Sequence, residues 1–120
     1  MSGVSWWISI ALAAVYLPAG LMKLVVPKAR LETNAQFGWM TAMSASAVKG
    51  IGAAEVLGGI GVLAPRLVGM SPGLGIAAAW GLAAVQVGAI VVHARRREYA
   101  TLPMNVVLLV LAALVATRLV

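Results

Sequence analysis

Residues 101–119 read Thr-Leu-Pro-Met-Asn-Val-Val-Leu-Leu-Val-Leu-Ala-Ala-Leu-Val-Ala-Thr-Arg-Leu, and from Val106 to Val115 only Val, Leu and Ala occur. Between Leu102 and Leu119 the polar side chains are Asn105, Thr117 and Arg118. A helix needs about 20 mainly apolar residues to cross the hydrocarbon layer of a bilayer. This stretch comes close to that length and shows no apolar/polar alternation. It therefore reads as a membrane helix, not a barrel strand. Its Val/Leu/Ala run is expected to face lipid.

Three stretches of the same kind precede it. The first covers about residues 4–26. Trp6 and Trp7 open it at the headgroup level that indole rings favour, and Pro27 stops it. Pro18 falls inside and is expected to kink the helix, freeing a carbonyl near Tyr16. The second covers about 45–64 and is expected to stop at Pro65. The third starts at Ser71-Pro72, an N-cap with proline at the first helical position, and runs over 72–93. With the fourth at 102–119, the chain reads as an all-α integral membrane protein, a single four-helix transmembrane domain over residues 1–120.

Composition agrees. Hydrophobic residues make up 62% of the chain and charged ones 10%, against about 25% charged in ordinary soluble domains. That excludes a soluble globule, and the apolar content excludes a disordered tail. The net charge of +6 is assigned to loop residues that set orientation, not to nucleic acid. There is no cysteine, so disulfides and thiolate metal sites are excluded. The first basic residue is Lys23. The basic front of a cleavable signal peptide is thus missing, and the first span is expected to stay in place.

The loops are unequal. Residues 27–44 form the long one. Its side carries Lys23, Lys28, Arg30, Lys49, Arg95, Arg96 and Arg97, and the other side only Arg66 and Arg118. The positive-inside rule places the long loop in the cytoplasm and both termini outside. Within that loop Phe37, Met40 and Met43 recur every three residues beside Trp39, the pattern of a short interfacial segment lying on the membrane. A plain polar connector is the alternative. The run Arg95-Arg96-Arg97 serves either anionic headgroups or topology alone.

Small residues form two stripes, Gly50, Ala54, Gly58 and Gly61 in the second span and Gly73, Ala77, Gly81, Ala84 and Gly88 in the third. Membrane helices associate by close packing, which small residues permit. The stripes fit a compact bundle or a tight homo-oligomer.

Ionisable groups inside a membrane cost about 2.5–3.5 kcal/mol each on insertion scales, and so mark functional candidates. Glu55 lies about ten residues from either end of its span. Lys23 is its partner candidate, with Tyr16 and Gly20 on the same stripe; Lys49 lies on a different face from Glu55. Either lysine can instead snorkel to the interface, and Glu55 can serve merely to tie two helices together. Gln86 and His93 share a face of the third span, and Asn105 enters the fourth. Tyr16, Lys23, Glu55, Gln86, His93 and Asn105 therefore form the expected ligand pocket, at or on the long-loop side of the midplane. Little polarity lies beyond it, which argues for a pocket open to one side rather than a pore, and against a small transporter. One histidine without further ligands is a poor metal site, and none is expected.

The segment Gly20-Leu21-Met22-Lys23-Leu24 resembles the G-x-x-K-L signature of the DoxX-like membrane proteins. Gly38-Trp39, Gly52-Ala53-Ala54-Glu55-Val56-Leu57-Gly58, Leu63-Ala64-Pro65 and Val91-Val92-His93-Ala94-Arg95 follow in that family's order and spacing. The resemblance covers nearly the whole chain. It implies a multi-pass protein of the bacterial inner (plasma) membrane in a redox setting, since relatives include a thiosulfate:quinone oxidoreductase subunit and proteins of quinone-stress operons. Others resemble assembly factors or cargo receptors. No catalytic role comes with Lys23 and Glu55. The expectation is a subunit without catalytic activity of its own, in a larger membrane complex, holding an apolar small molecule with a polar head, with quinone the best guess. The alternative is an assembly or chaperone-like interaction protein with no ligand.

Overall fold

The computed structural model describes residues 2–120, apart from the side chain of Gln36. Four helices are long and apolar enough to cross a membrane. Helix α1 spans Gly3–Val25, a one-turn α2 spans Lys28–Leu31, α3 spans Ala45–Val68, α4 spans Pro72–Arg95 and α5 spans Leu102–Ala116. Short 3-10 segments at Ala35–Ala42 and Tyr99–Thr101 complete the chain, with no strand among the described residues. The expected fold class holds.

Three of the four long helices begin on a serine cap, and α5 begins with Pro103 in its first turn and no side-chain cap. Ser2, Ser44 and Ser71 accept hydrogen bonds from the backbone N–H groups of Ser5, Ala47 and Gly73 at 3.0, 3.1 and 3.2 Å, relieving donors that a helix start leaves free. Helix α1 contains Pro18 and continues to Val25. Other helix ends differ from expectation. Pro65 does not stop α3, which continues to Val68 and ends on Gly69 at φ +70°. Proline breaks a helix by losing one N–H and crowding the carbonyl four residues back. Here that carbonyl is Gly61's, Pro65 itself lies within one turn of the helix end, and Gly75 of α4 packs against Pro65 and the Gly61 carbonyl. Helix α4 ends two residues beyond His93. Helix α5 stops at Ala116, earlier than the expected Leu119, with Arg118 at φ +59° in the left-handed region.

The bundle is antiparallel. Gly20 faces Gly52 while Leu17 faces Gly59; Gly58 faces Leu82 while Gly61 faces Ala78. Helix α3 thus lies between α1 and α4, α5 packs on α4, and a lesser contact between α5 and α1 closes the ring. The main core is built from Leu12, Tyr16, Val62, Leu82, Leu108 and Val115 with small residues between them. A second cluster, Leu31, Met40 and Val48, sits at the loop end.

One further expectation needs correction. The run 106–115 is not wholly lipid-facing: Val106, Val107 and Val110 point outward, but Leu108, Ala112 and Val115 are buried. Of the two readings of the small-residue stripes, a compact bundle or a tight homo-oligomer, the α4 stripe does not serve the first, because Gly73, Ala77, Gly81, Ala84 and Gly88 are all exposed within the chain. Gly50 and Ala54 of α3 are exposed as well, so only Gly58 and Gly61 of that stripe serve packing. Finally, the segment at Ala35–Ala42 is a 3-10 helix with a kink at Phe37. A spacing of three matches the three residues per turn of that helix, and it turns Met40 inward, fully buried, instead of leaving it on the membrane surface.

Candidate functional site

The site is set by one helix crossing. A Cβ on Gly20 would lie 2.6 Å from the Gly52 carbonyl oxygen, and one on Gly52 would lie 2.8 Å from that of Gly20. Backbone therefore touches backbone, which only glycine allows. Lys23 follows Gly20 by three residues and Glu55 follows Gly52 by three. On antiparallel helices this spacing carries the two charges in opposite directions, about 9 Å apart in depth at 1.5 Å rise per residue. The Cα–Cβ bonds of a helix tilt toward its N-terminus, so both side chains lean back toward the crossing and toward each other. Lys23 Nζ meets Glu55 Oε1 at 2.7 Å, with both side chains less than a tenth exposed. The lean of Lys23 shows also in its 3.5 Å contact to the Ala19 carbonyl one turn back.

Lys49 plays a different part. Its ammonium donates to the Leu24 carbonyl at 2.9 Å, relieving an acceptor in the last turn of α1. It takes no part in the pair.

Between the two hydrophobic clusters lies a cavity of about 520 Å³. Lys23, Glu55, Gln86, His93 and Asn105 all line it, so the fold brings five of the six expected residues to one wall. Tyr16 does not line it; it stands behind Gln86, whose amide donates to the Tyr16 hydroxyl at 2.6 Å. Gln86 and Asn105 are each at least nine-tenths buried. Gln86 Oε1 and Asn105 Nδ2 have no hydrogen-bond partner among the described residues.

The loop end of the cavity is built by residues whose roles sequence reasoning missed. Phe37, Trp39 and Met43 roof the cavity. Trp39 meets the His93 ring edge-on at 6.3 Å, and Gly38 lies close under Arg96. Helix α4 ends with Arg97 at φ +58°, and Glu98 N–H closes on the His93 carbonyl at 2.8 Å, a Schellman-type end. That turn brings Glu98 Oε1 to 3.0 Å from His93 Nδ1 and 3.1 Å from Arg96 Nε. The hydrogen bond with His93, and then the Arg96 charge, hold the Glu98 carboxyl below its ordinary range. The available signal was a lone acid directly after three arginines, five residues from a histidine, across a short turn.

Fold and site together define a small polytopic helical membrane protein with a buried ion pair and a polar-walled cavity in one half of the bundle. The chain matches the DoxX-like family over residues 7–115 and belongs to that family. No curated protein and no solved structure gives a significant match.

Proposed function

We propose that the protein is an accessory subunit of a redox-linked complex in the bacterial inner membrane, without catalytic activity of its own, and that its cavity holds a quinone-like or lipid-like amphiphile by its polar head. The observation that carries this reading is the polar set that lines the cavity, Lys23, Glu55, Gln86, His93 and Asn105. Gln86 Oε1 and Asn105 Nδ2 are among the buried atoms without a partner, each shielded from solvent, and such a group costs about 1–3 kcal/mol. Rotation of either amide toward the cavity lets a head with a donor and an acceptor, such as a quinol, relieve it, whereas an oxidised quinone only accepts. The volume of about 520 Å³ also falls inside the roughly 300–1,000 Å³ of small-molecule sites. In this reading Lys23 or His93 donates to an oxygen of the head, and Glu55 fixes the lysine. The redox setting rests on the family's associations.

The test is purification in mild detergent followed by mass spectrometry of the extracted lipids, for wild type and for Gln86→Leu/Asn105→Leu. Wild type should carry near-stoichiometric quinone or another defined amphiphile. The double variant loses the buried Gln86–Tyr16 hydrogen bond as well as two unsatisfied groups, so its folding is checked by melting temperature, and the folded protein should hold at least tenfold less. A double variant that keeps the full complement would overturn the reading.

A second reading has its own observation. The Lys23–Glu55 contact at 2.7 Å already neutralises both charges, as expected of a pair that only specifies packing in an assembly factor. Purified protein with an empty cavity and a stoichiometric protein partner would favour it.

A further inference from the structure

The cavity wall is not equally closed on all sides. Its polar members Lys23, Glu55, Gln86 and Asn105 are buried. The roof at the loop end is half-buried and tied down, by the Trp39–His93 ring contact and by Arg96 against Gly38. The exposed members of the wall are Ala84, Gly88 and Met104, and all three belong to the membrane-spanning segments. A Cβ on Gly88 would meet nothing within 4 Å. The open side of the cavity thus faces hydrocarbon. From Gly88 the small-residue face of α4 runs on through Ala84, Gly81 and Ala77 to Gly73, exposed throughout, a shallow track of roughly 22 Å at 1.5 Å per residue.

We propose that the cavity is loaded sideways from the bilayer. The head of a long-tailed amphiphile enters past Gly88 to reach Gln86 and Asn105, while its tail stays outside along the Ala84–Gly73 face of α4. This rests on the cavity reading above and narrows its ligand class to a single-headed, long-tailed membrane lipid or quinone, excluding water-soluble metabolites. Small side chains let a flexible tail approach the helix backbone, as they let helices approach one another. A tail left in lipid loses no apolar contact on binding, so the head alone has to find partners. A water-soluble guest would instead have to lift the roof.

Gly88→Leu tests this, with Gly50→Leu as control, since Gly50 is equally open and lies outside the cavity wall. The full chain is reconstituted in phosphatidylcholine vesicles with either ubiquinone-10 or the tailless 2,3-dimethoxy-5-methylbenzoquinone, each kept in its reduced form so that the head both donates and accepts, and bound quinone is measured at equilibrium. A leucine in the mouth leaves no room for a tail to run from the cavity into the bilayer, whereas a tailless ring needs none. Gly88→Leu should therefore hold at least tenfold less ubiquinone-10 and lose less than twofold of the tailless probe; Gly50→Leu should match wild type for both. Equal loss of both probes, or no loss of either, overturns lateral loading. Wild type that takes up neither probe fails at an earlier point and overturns the cavity reading itself, together with the inference built on it.

Discussion

Lys23 and Glu55 show how much one contact is worth inside a membrane. Polar contacts there average about 0.6 kcal/mol in double-mutant cycles, with a maximum near 1.7, because the unfolded chain also finds partners. This pair is short and nearly dry, so the upper part of that range applies. A cycle of Lys23→Met and Glu55→Gln should give a coupling of about 1–1.7 kcal/mol, read from unfolding in mixed detergent; additive losses would rule the contact out. The two residues were legible in the sequence, because ionisable groups in apolar spans stand out. Their meeting was harder to read, since depth alone leaves them about two turns apart; the signal lay in the glycine three residues before each charge. Glu98 allows a second test outside the spans. Its folded carboxyl titrates below the ordinary glutamate value of 4.5, so its contribution is full above that value and is lost as pH falls through the lower folded value. The melting-temperature gap between wild type and Glu98→Gln should be largest near neutral pH and shrink below about pH 4.5. A gap that widens in acid would refute the hydrogen-bond account.

At the level of whole helices, the glycines divide by what their missing Cβ would meet. Gly20 and Gly52 each face the other's backbone, which cannot yield. Gly58 faces the tip of the Leu82 side chain, which can rotate away. Gly50 and Gly88 face open space. Overpacking typically costs about 1–3 kcal/mol, whereas replacing a helical glycine with alanine in open space gains roughly 0.5–1 kcal/mol. Gly20→Ala or Gly52→Ala should therefore lower the melting temperature most and Gly58→Ala less, while Gly50→Ala and Gly88→Ala should leave it unchanged or raise it. Any other order would mean that α1 and α3 do not cross where Gly20 meets Gly52. Periodicity identified which small residues share a face, but not which faces meet a neighbour, so the α4 stripe fitted either a compact bundle or a tight homo-oligomer and lies exposed within this chain. Pro65 was misread for a related reason: a proline's effect depends on how many turns follow it and on what lies against the freed carbonyl.

Across the whole molecule, both connecting loops on the roofed side meet at one end, where Arg96 lies over Gly38 and His93 meets Trp39. The excess of Lys and Arg there supports a cytoplasmic location for this end. Single cysteines at Asn34 and Ala100 should then be shielded from a membrane-impermeant thiol reagent in intact cells, and one at Ser2 should react. The opposite labelling would turn the roofed end outward. The number of spans was plain from composition, because apolar runs of that length have few alternatives. The tilt and rotation that open a cavity depend on contacts between distant residues, and no local pattern states them.

The helices also differ in length. With the 3-10 turn that leads into α5, the fourth span covers Tyr99–Ala116, 18 residues against 24 in α3 and α4, so the axial lengths are roughly 27 Å and 36 Å. A resting hydrocarbon layer is about 30 Å thick. The fourth span nearly matches it upright, while the longer helices fit by tilting, at fractions of a kcal/mol per Å of mismatch. Bilayer thickness thus acts unevenly on the bundle: a thinner membrane should increase the tilt of α3 and α4 before it strains the fourth span.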